Sequence, residues 1–228
     1  MTKPPKDFSF RDHAMTFDRH IGDSIPGYAN LVKRVLRDSR RFIQPHTNVY
    51  DLGCSSGRTL AKISRLNSSS RDGVTYIGID REPSFEMFWR RHRAPGLTFG
   101  TADARTCPME SASLVISQFM VQFIPPVDKR ALLRRIHDSL VEGGALLIAE
   151  KTLAGTARMQ DVVTFSYYDH KLERGFSPGQ IIEKERALRG QMTCMSEAEL
   201  REALKQAGFA EIERVWGEAP FAAFLALK

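Results

Sequence analysis

The chain has 228 residues, a formal net charge of +6 and 42% hydrophobic residues. This length fits one domain, and this share of apolar residues excludes a disordered chain. No window approaches about 18 consecutive apolar residues, and residues 1–18 lack the apolar centre of a secretory signal. We therefore expect a cytoplasmic protein that makes no contact with a membrane.

The three cysteines, Cys54, Cys107 and Cys194, form an odd and scattered set. Their spacing excludes a disulfide framework and offers no zinc site, so we predict no metal. The positive net charge is compatible with an anionic partner without identifying one.

Strand and helix patterns alternate through the middle of the chain. The predicted strands lie at 47–53, 74–80, 97–103, within 112–123, and at 143–151. The predicted helices lie at 58–66, from Pro83 onward, and at 128–140 with Asp128 as the cap. Residues 152–195 break this rhythm and predict a helical insertion, while residues 1–45 predict an N-terminal helical cap.

The last part of the chain has a different pattern. Ser196 and Glu199 form a capping box for a helix over 196–209, which Gly208 ends. The strands predicted at 210–217 and 220–228 are too close for a crossover helix, so they must be antiparallel. The whole pattern predicts one α/β domain over 1–228, with a doubly wound, mostly parallel seven-stranded sheet that ends in an antiparallel hairpin.

The stretch VYDLGCSSG (49–57) carries the first functional signal. In a dinucleotide fingerprint, a second glycine lets the backbone approach a pyrophosphate, but Ser55 stands at that position. Asp51 would also repel a phosphate. S-adenosylmethionine (SAM) has no phosphate and carries an ammonium and a sulfonium, which an acidic residue beside the glycine turn suits.

Two further aspartates end the next two predicted strands. Asp80 has the spacing of a carboxylate that takes ribose hydroxyls, and Asp103 is placed to meet the adenine amino group. Each aspartate, taken singly, could instead cap a turn or a helix without any ligand. Three acids in register with the glycine turn favour SAM as the cofactor.

Several stretches together resemble the carboxy-SAM synthase family, which shares the class I SAM methyltransferase fold. The resemblance covers nearly the full chain and rests on IPGYAN (25–30), VYDLGCSSG (49–57), IGIDREPSFEMFWRRH (77–92), VQF (121–123), GGALLIAEK (143–151) and GFSPGQIIEKERALRGQM (175–192). It implies the conversion of SAM and prephenate to carboxy-SAM, whose carboxyl-bearing group a partner enzyme then transfers to a tRNA wobble uridine. The ligand contacts it implies fall on Tyr28, Gly53, Cys54, Ser55, Asp80, Arg81, Asp103 and Ala104.

Two positions depart from this resemblance. Gln118 stands where the family has an asparagine, and Glu185 where the family has an arginine that grips the new carboxylate. Helical periodicity places Glu185 on the apolar face with Ile181, about 100° away from Arg186. An alternative register, shifted by one residue, makes Arg186 the gripping residue.

The sign of the charge at position 185 separates the candidate functions. Two unit charges about 4 Å apart interact by roughly 4 kcal/mol at an effective dielectric of 20, so Glu185 should oppose a carboxylate. This expectation favours a SAM-dependent methyltransferase with an unidentified acceptor, either a small molecule or RNA. The alternatives are a carboxy-SAM synthase that uses prephenate, and a catalytically silent SAM-binding protein that serves a partner.

Other features of the sequence give weaker indications of function. The helix KRVLRDSRR (33–41) presents a basic stripe that suits RNA or, more simply, solvent. Tyr167, Tyr168, His170 and Lys171 lie in the insertion and are candidates for a general base, with Tyr168 as our choice beside Glu185 and Arg186. The apolar residues of the insertion, together with the resemblance, predict a homodimer.

Overall fold

The structure is a computed structural model that describes residues 14–67 and 72–228. The described helices are α1 Phe17–Ser24, α2 Tyr28–Phe42, α3 Arg58–Asn67, α4 Glu86–Trp89, α5 Pro126–Ser139, α6 Ala157–Glu173, α7 Pro178–Leu188 and α8 Glu197–Ala207. The described strands are β1 Asn48–Leu52, β2 Thr75–Asp80, β3 Leu97–Thr101, β4 Ala112–Gln118, β5 Leu140–Leu153, β6 Met195–Ser196, β7 Glu211–Glu218 and β8 Phe221–Leu227. Residues 1–13 of the predicted cap and 68–71 of a predicted loop lie outside the described residues.

Seven strands form one sheet in the order β3-β2-β1-β4-β5-β8-β7, and the short β6 pairs with β5 off this path. The first five are parallel, whereas β8 runs antiparallel to both β5 and β7. The predicted fold class is thus confirmed. Strand order reverses between β1 and β4, and open α/β sheets bind their ligands outside the carboxyl ends of the strands at such a point.

The sheet lies between two layers of helices, so its central strands are buried on both faces. In β4, Leu114 and Ile116 pack toward α2 and α3, while Val115 packs toward α5 and α8. Burial in β1 and β4 is therefore continuous along the strand and does not alternate between the two faces.

Most element boundaries follow the local signals. Ser196 and Glu199 form the predicted capping box, and Gly208 ends α8 with φ at +112°. Two boundaries differ. Helix α5 begins at Pro126, since proline suits a first helical turn, and Asp128 therefore lies within that turn and is not the cap. The helix predicted from Pro83 onward is a 3-10 turn followed by one short helix that ends at Trp89.

The predicted insertion consists mainly of α6 and α7. Thr156 caps α6, and a capping box of Ser177 and Gln180 starts α7. Both helices come after the carboxyl end of β5, on the side of the sheet where a ligand is expected. None of the helices within residues 14–67 and 72–228 has the length and apolar character needed to span a bilayer.

The basic stripe predicted over 33–41 lies on α2, where part of its charge is neutralised. Asp38 pairs with Arg34 at 2.5 Å and with Arg41 at 3.5 Å, both within the same helix. Arg34 also donates to the carbonyl of Val215. These contacts favour the structural interpretation of the stripe over a role in RNA binding.

Candidate functional site

A cavity of about 680 Å³ opens at the carboxyl ends of the parallel strands. Its floor comes from the residues that follow β1, β2, β3 and β4, and its cover comes from α1, the start of α2, and the insertion helices α6 and α7. The cavity therefore lies where the reversal of strand order predicts a ligand. Its two ends carry opposite charges.

The glycine turn after β1 forms one wall. Gly53 has a φ of +76°, and a Cβ at this residue would lie 2.7 Å from Met120, so both conformation and packing require glycine. Ser55 also adopts a positive φ, of 48°. The Trp89 indole donates to the Ser55 carbonyl at 2.7 Å, which ties this turn to the segment after β2.

Asp80 joins the end of β2 to the same turn. Its carboxylate accepts from the backbone N–H of Ser55 at 2.8 Å and from that of Glu82 at 2.9 Å. Burial raises the pKa of Asp80, and the two backbone donors oppose this rise by stabilising the ionised form. The carboxylate is thus held in one orientation at the cavity wall.

Asp51 and Gln118 test whether SAM fits this end of the cavity. Asp51 is 2% exposed, and burial, together with the charge of Asp80, raises its pKa to about 7. The Oε1 atom of Gln118 is buried without a hydrogen-bond partner in the described part of the chain. Within the described residues, the charge that shifts the pKa of Asp51 is the like charge of Asp80. A ligand that brings positive charge and N–H donors would satisfy both Asp51 and the unmet Gln118 acceptor. SAM supplies both, so the residues present fit it.

Asp103 and Ala104 follow β3 and line the same end, as does the exposed Arg81. The Asp103 carboxylate is clamped by Arg105, whose NH2 donates to Oδ2 at 2.6 Å, and this contact lowers the pKa of Asp103. The predicted acceptor for the adenine amino group is thereby fixed in place.

Tyr28 and Cys54, two further predicted contacts, also line the cavity. Tyr28 begins α2 behind Gly27. Its burial, followed by the nearby Asp18 and Asp51, raises the pKa of Tyr28 to about 12. The phenol therefore stays protonated at neutral pH and can donate a hydrogen bond. All the predicted cofactor contacts thus lie around one end of the cavity, and their role as ligand contacts remains a prediction.

The opposite end of the cavity is lined by three lysines around one carboxylate. Glu185 Oε1 lies 3.7 Å from Lys151 Nζ and 4.0 Å from Lys171 Nζ. Lys184 is the neighbour of Glu185 on α7 and forms a short hydrogen bond with Nε2 of His20 on α1. We call Lys151, Lys171, Lys184 and Glu185 the lysine cluster.

Burial weakens the charge of two of these lysines. It lowers the pKa of Lys171 to about 8 and that of Lys184 to about 7, with mutual repulsion among the ammonium groups as a further cause. The Lys171 ammonium also lies 4.2 Å from the ring centre of Tyr167, a cation–π contact. An anionic ligand would stabilise the charged form of each lysine.

Backbone contacts at the ends of β4 and β5 position Lys151. The buried Glu150 accepts from the N–H groups of Val121 and Gln122 at 3.0 and 2.8 Å, and the Gln122 side chain accepts from the Lys151 N–H at 2.9 Å. Burial raises the pKa of Glu150 to about 8. Glu150 therefore holds the turn after Gln118, and the Gln122 side chain links this turn to Lys151, the first residue of the lysine cluster.

The structure separates the residues that we predicted to be catalytic. Glu185 faces the cavity, whereas Arg186 is exposed and lies off its wall, which favours the first of the two registers considered. Tyr168 also lies off the wall, because α6 turns it away, and its buried neighbour Tyr167 lines the cavity instead. The catalytic role predicted for Tyr168 stays a prediction, and the structure places Tyr167 on the wall in its stead.

The expected effect of Glu185 also changes. The sequence alone predicts a lone carboxylate at this position, but the ammonium groups of Lys151 and Lys171 flank it. This end of the cavity is cationic on balance, so it does not repel a carboxylate as the isolated residue would. The sequence pattern contained no signal for Lys151 or Lys184.

The chain is similar to known enzymes over most of its length. The family described as "Methyltransferase domain" matches residues 49–144. A carboxy-S-adenosyl-L-methionine synthase from Klebsiella pneumoniae (strain 342) is 33% identical, over 97% of this chain and 92% of the relative. The enzyme of the same name from Vibrio parahaemolyticus is 31% identical, over 92% of this chain and 87% of the relative.

Solved structures show the same fold at low sequence identity. A putative methyltransferase from Haloferax volcanii matches with a TM-score of 0.64 and 19% identity, over 97% of this chain and 98% of that one. A putative O-methyltransferase from Nostoc punctiforme matches with a TM-score of 0.67 and 16% identity, over 96% of this chain and 60% of that one. Human N-acetylserotonin methyltransferase, solved in complex with SAM, matches with a TM-score of 0.60 and 18% identity, and this chain covers 51% of it. The shared architecture is that of the class I SAM methyltransferases.

Proposed function

This chain belongs to the carboxy-S-adenosyl-L-methionine synthase family, and on that basis we propose that it converts SAM and prephenate to carboxy-SAM. The enzyme is a SAM-dependent transferase. The observation that carries the finer proposal is the lysine cluster, which gives the cavity a cationic end opposite the acidic one. Prephenate carries two carboxylates, and such an end suits a dianion.

The reaction balances without a further reactant. Prephenate loses one carboxylate and its hydroxyl to become phenylpyruvate, while the SAM methyl group loses a proton and gains the carboxylate. The hydroxyl and the proton leave together as water. When bound, SAM supplies the methyl carbon that is carboxylated.

The residues of the chain contribute binding, orientation and charge. Asp80 is held ready for the ribose, and Gln118 offers a buried acceptor nearby. Lys151 and Lys171 supply ammonium groups that stabilise carboxylates on the substrate and on the product. Holding both reactants in one cavity replaces a collision in solution by a fixed approach.

Methyl transfer to an acceptor is the second candidate, and Glu185 is the observation that favours it. A carboxylate where the resemblance implies an arginine weakens the grip on a carboxyl group. The fold supports a methyltransferase in general, whereas the family supports carboxy-SAM synthesis in particular.

One assay separates these candidates. The wild-type protein is incubated with SAM and prephenate, and carboxy-SAM and phenylpyruvate are measured by mass spectrometry. We expect both products in equal amounts. Formation of S-adenosylhomocysteine with an added acceptor, and no carboxy-SAM, would support methyl transfer instead. Binding of SAM without any turnover would support a silent SAM-binding protein.

The product of this reaction would serve the modification of a tRNA wobble uridine, a step that belongs to a separate transfer enzyme.

The exposed apolar side chains of the insertion further support the homodimer that we predicted. On α6, Val162 is 56% exposed and Phe165 is 66% exposed, and Ile182 on α7 is 43% exposed. Light scattering at micromolar concentration should give twice the mass of the chain, and a monomer would contradict this proposal.

A further inference from the structure

The lysine cluster has more cationic groups than its own carboxylate can satisfy. Lys151, Lys171 and Lys184 surround Glu185, and the two ion pairs of Glu185 measure 3.7 and 4.0 Å. Both distances exceed those of charge-assisted hydrogen bonds, which are about 2.7–2.9 Å. Glu185 therefore offsets part of the positive charge without occupying the N–H donors of Lys151 and Lys171.

Lys171 is the clearest case of a lysine whose N–H donors are left without an acceptor by Glu185, because its side chain is only 3% exposed. Within the described residues, its ammonium makes the ion pair with Glu185 and contacts the rings of Tyr167 and Tyr168, but it makes no hydrogen bond. A buried ammonium without hydrogen bonds is costly unless a ligand supplies an acceptor. The Lys171 side chain lines the cavity, so such an acceptor can reach it.

Lys151 faces the same space from the end of β5. Its ammonium lies 5.2 Å from the ring centre of Tyr167, which is also the ring below Lys171. The Lys151 side chain is 17% exposed, so it remains in reach of a ligand inside the cavity. The two ammonium groups thus share one aromatic neighbour and one carboxylate partner.

We propose that Lys151 and Lys171 bind a carboxylate of the second substrate, and that Glu185 is a counter-ion which limits how tightly they do so. This inference rests on the proposed function and deepens it, since it assigns the anion-binding role of position 185 to other residues. Glu185 keeps the like charges of Lys151 and Lys171 close together. When an anionic substrate arrives, its carboxylate takes the N–H donors, and Glu185 repels it.

The position of Glu185 on α7 explains how this exchange can preserve the local fold. Glu185 lies on the same helix face as the buried Ile181, which anchors this part of the helix. The neighbouring Lys184 forms its contact with His20 on α1. Lys151 and Lys171 belong to β5 and α6, so three separate elements meet around the proposed carboxylate.

Three variants test the proposal through binding, without requiring turnover. Phenylpyruvate, which carries one carboxylate, is titrated by calorimetry into the protein saturated with SAM. We expect Lys171→Met and Lys151→Met each to weaken its binding by about tenfold or more, because each removes a charged donor. We expect Glu185→Gln to strengthen its binding by roughly threefold to tenfold, because one repulsion is removed.

The controls use residues outside the cavity wall. Lys205→Met and Glu202→Gln make the same chemical changes on the exposed side of α8. Both should leave phenylpyruvate binding unchanged. SAM affinity, measured for every variant, reports whether the fold and the acidic end are intact.

The results separate this inference from the proposed function. If the wild type makes carboxy-SAM but both lysine variants bind phenylpyruvate like the wild type, the inference is wrong and the function stands. If the lysine variants lose binding and Glu185→Gln gains it, while no carboxy-SAM forms, the anion site stands and the proposed reaction is wrong. A weaker binding in Glu185→Gln would contradict the counter-ion role, because it would make Glu185 a contributor to the site.

Discussion

The two ends of the cavity are built from different parts of the fold and carry opposite charges. The acidic end comes from the carboxyl ends of β1 and β2, where Asp51 lies next to the last residue of β1 and Asp80 is the last residue of β2. The basic end comes from the last residues of β5 and from the insertion helices, which bring Lys151, Lys171 and Lys184 together. A cationic molecule at one end and an anionic molecule at the other would each be stabilised and oriented by this arrangement.

The two ends also differ in how tightly their own charges are satisfied. Asp80 accepts two backbone hydrogen bonds of 2.8 and 2.9 Å, so its carboxylate is fixed before any ligand binds. At the basic end, the closest approach of Glu185 to a lysine is 3.7 Å. Preorganised contacts favour affinity, whereas loosely paired charges can exchange partners as substrate enters and product leaves. We therefore expect the acidic end to govern SAM affinity and the basic end to govern the choice of the second reactant.

The largest effect is expected when the acidic end is disrupted. Asp80→Ala removes the carboxylate predicted to bind the ribose and also releases the Ser55 N–H that shapes the glycine turn. Each charged hydrogen bond that is lost costs roughly 1.5–3 kcal/mol, so SAM affinity should fall by about a hundredfold or more. Calorimetric titration with SAM measures this change directly.

A matched control uses the other end of the same strand. Asp72 is exposed and precedes β2, so Asp72→Ala removes an acid of the same kind far from the cavity. Its SAM affinity should equal that of the wild type. A folded Asp80→Ala protein that binds SAM as tightly as the wild type would show that the cavity takes its cofactor by other contacts.

The sequence predicted the acidic end far better than the basic end, for a physical reason. Gly53 and Asp80 end predicted strands and Ser55 follows the first of them. The carboxyl ends of parallel strands meet at one edge of a sheet. Their proximity therefore follows from the strand pattern alone. Gly53 in addition requires its positive φ, a constraint that is local to the chain.

No comparable sequence pattern predicts that the basic residues lie close together. Lys151 is the last residue of the stretch that predicts β5, while Lys171 and Lys184 lie in an irregular insertion whose packing no periodicity describes. Lysine is also a common surface residue, and a single lysine in a helix indicates solvent more often than a site. Helical spacing correctly directs Glu185 inward, but it says nothing about which charges α6 and β5 place opposite it.

A moderate effect is expected at Gln118, which is the last residue of β4 and lines the cavity. Its Oε1 is buried and has no hydrogen-bond partner within the described residues, which costs stability in the ligand-free protein. Gln118→Leu should raise the unfolding free energy of the ligand-free protein by about 1 kcal/mol, because the unsatisfied acceptor is removed. It should weaken SAM binding by roughly fivefold to tenfold, because a ligand donor loses its partner.

The opposite signs of these two changes make the prediction for Gln118 specific. Chemical denaturation gives the stability, and calorimetry gives the SAM affinity. Gln206→Leu on the exposed face of α8 serves as the control. In this variant the unfolding free energy should not rise and the SAM affinity should not fall. A Gln118→Leu protein that loses both stability and SAM affinity would mean that Gln118 supports the structure rather than a ligand.

The smallest effect, and the one that compares both ends in one experiment, is the dependence of binding on pH. Burial and then the charge of Asp80 raise the pKa of Asp51 to about 7, so Asp51 loses its proton as pH rises from 6 to 8. A cationic ligand prefers the ionised form, and SAM affinity should therefore increase with pH over this range. Lys184 and Lys171, with pKa values lowered by burial to about 7 and about 8, lose their charges as pH rises from 7 to 9. The affinity for phenylpyruvate should therefore decrease with pH, and each slope should stay below about tenfold per pH unit for each proton exchanged.

Calorimetry at several pH values, with Asp51→Asn and Lys171→Met beside the wild type, isolates the two contributions. Asp51→Asn should flatten only the SAM slope, and Lys171→Met should reduce only the phenylpyruvate slope. Two wild-type slopes of the same sign would mean that the charges of the two ends do not act on separate ligands.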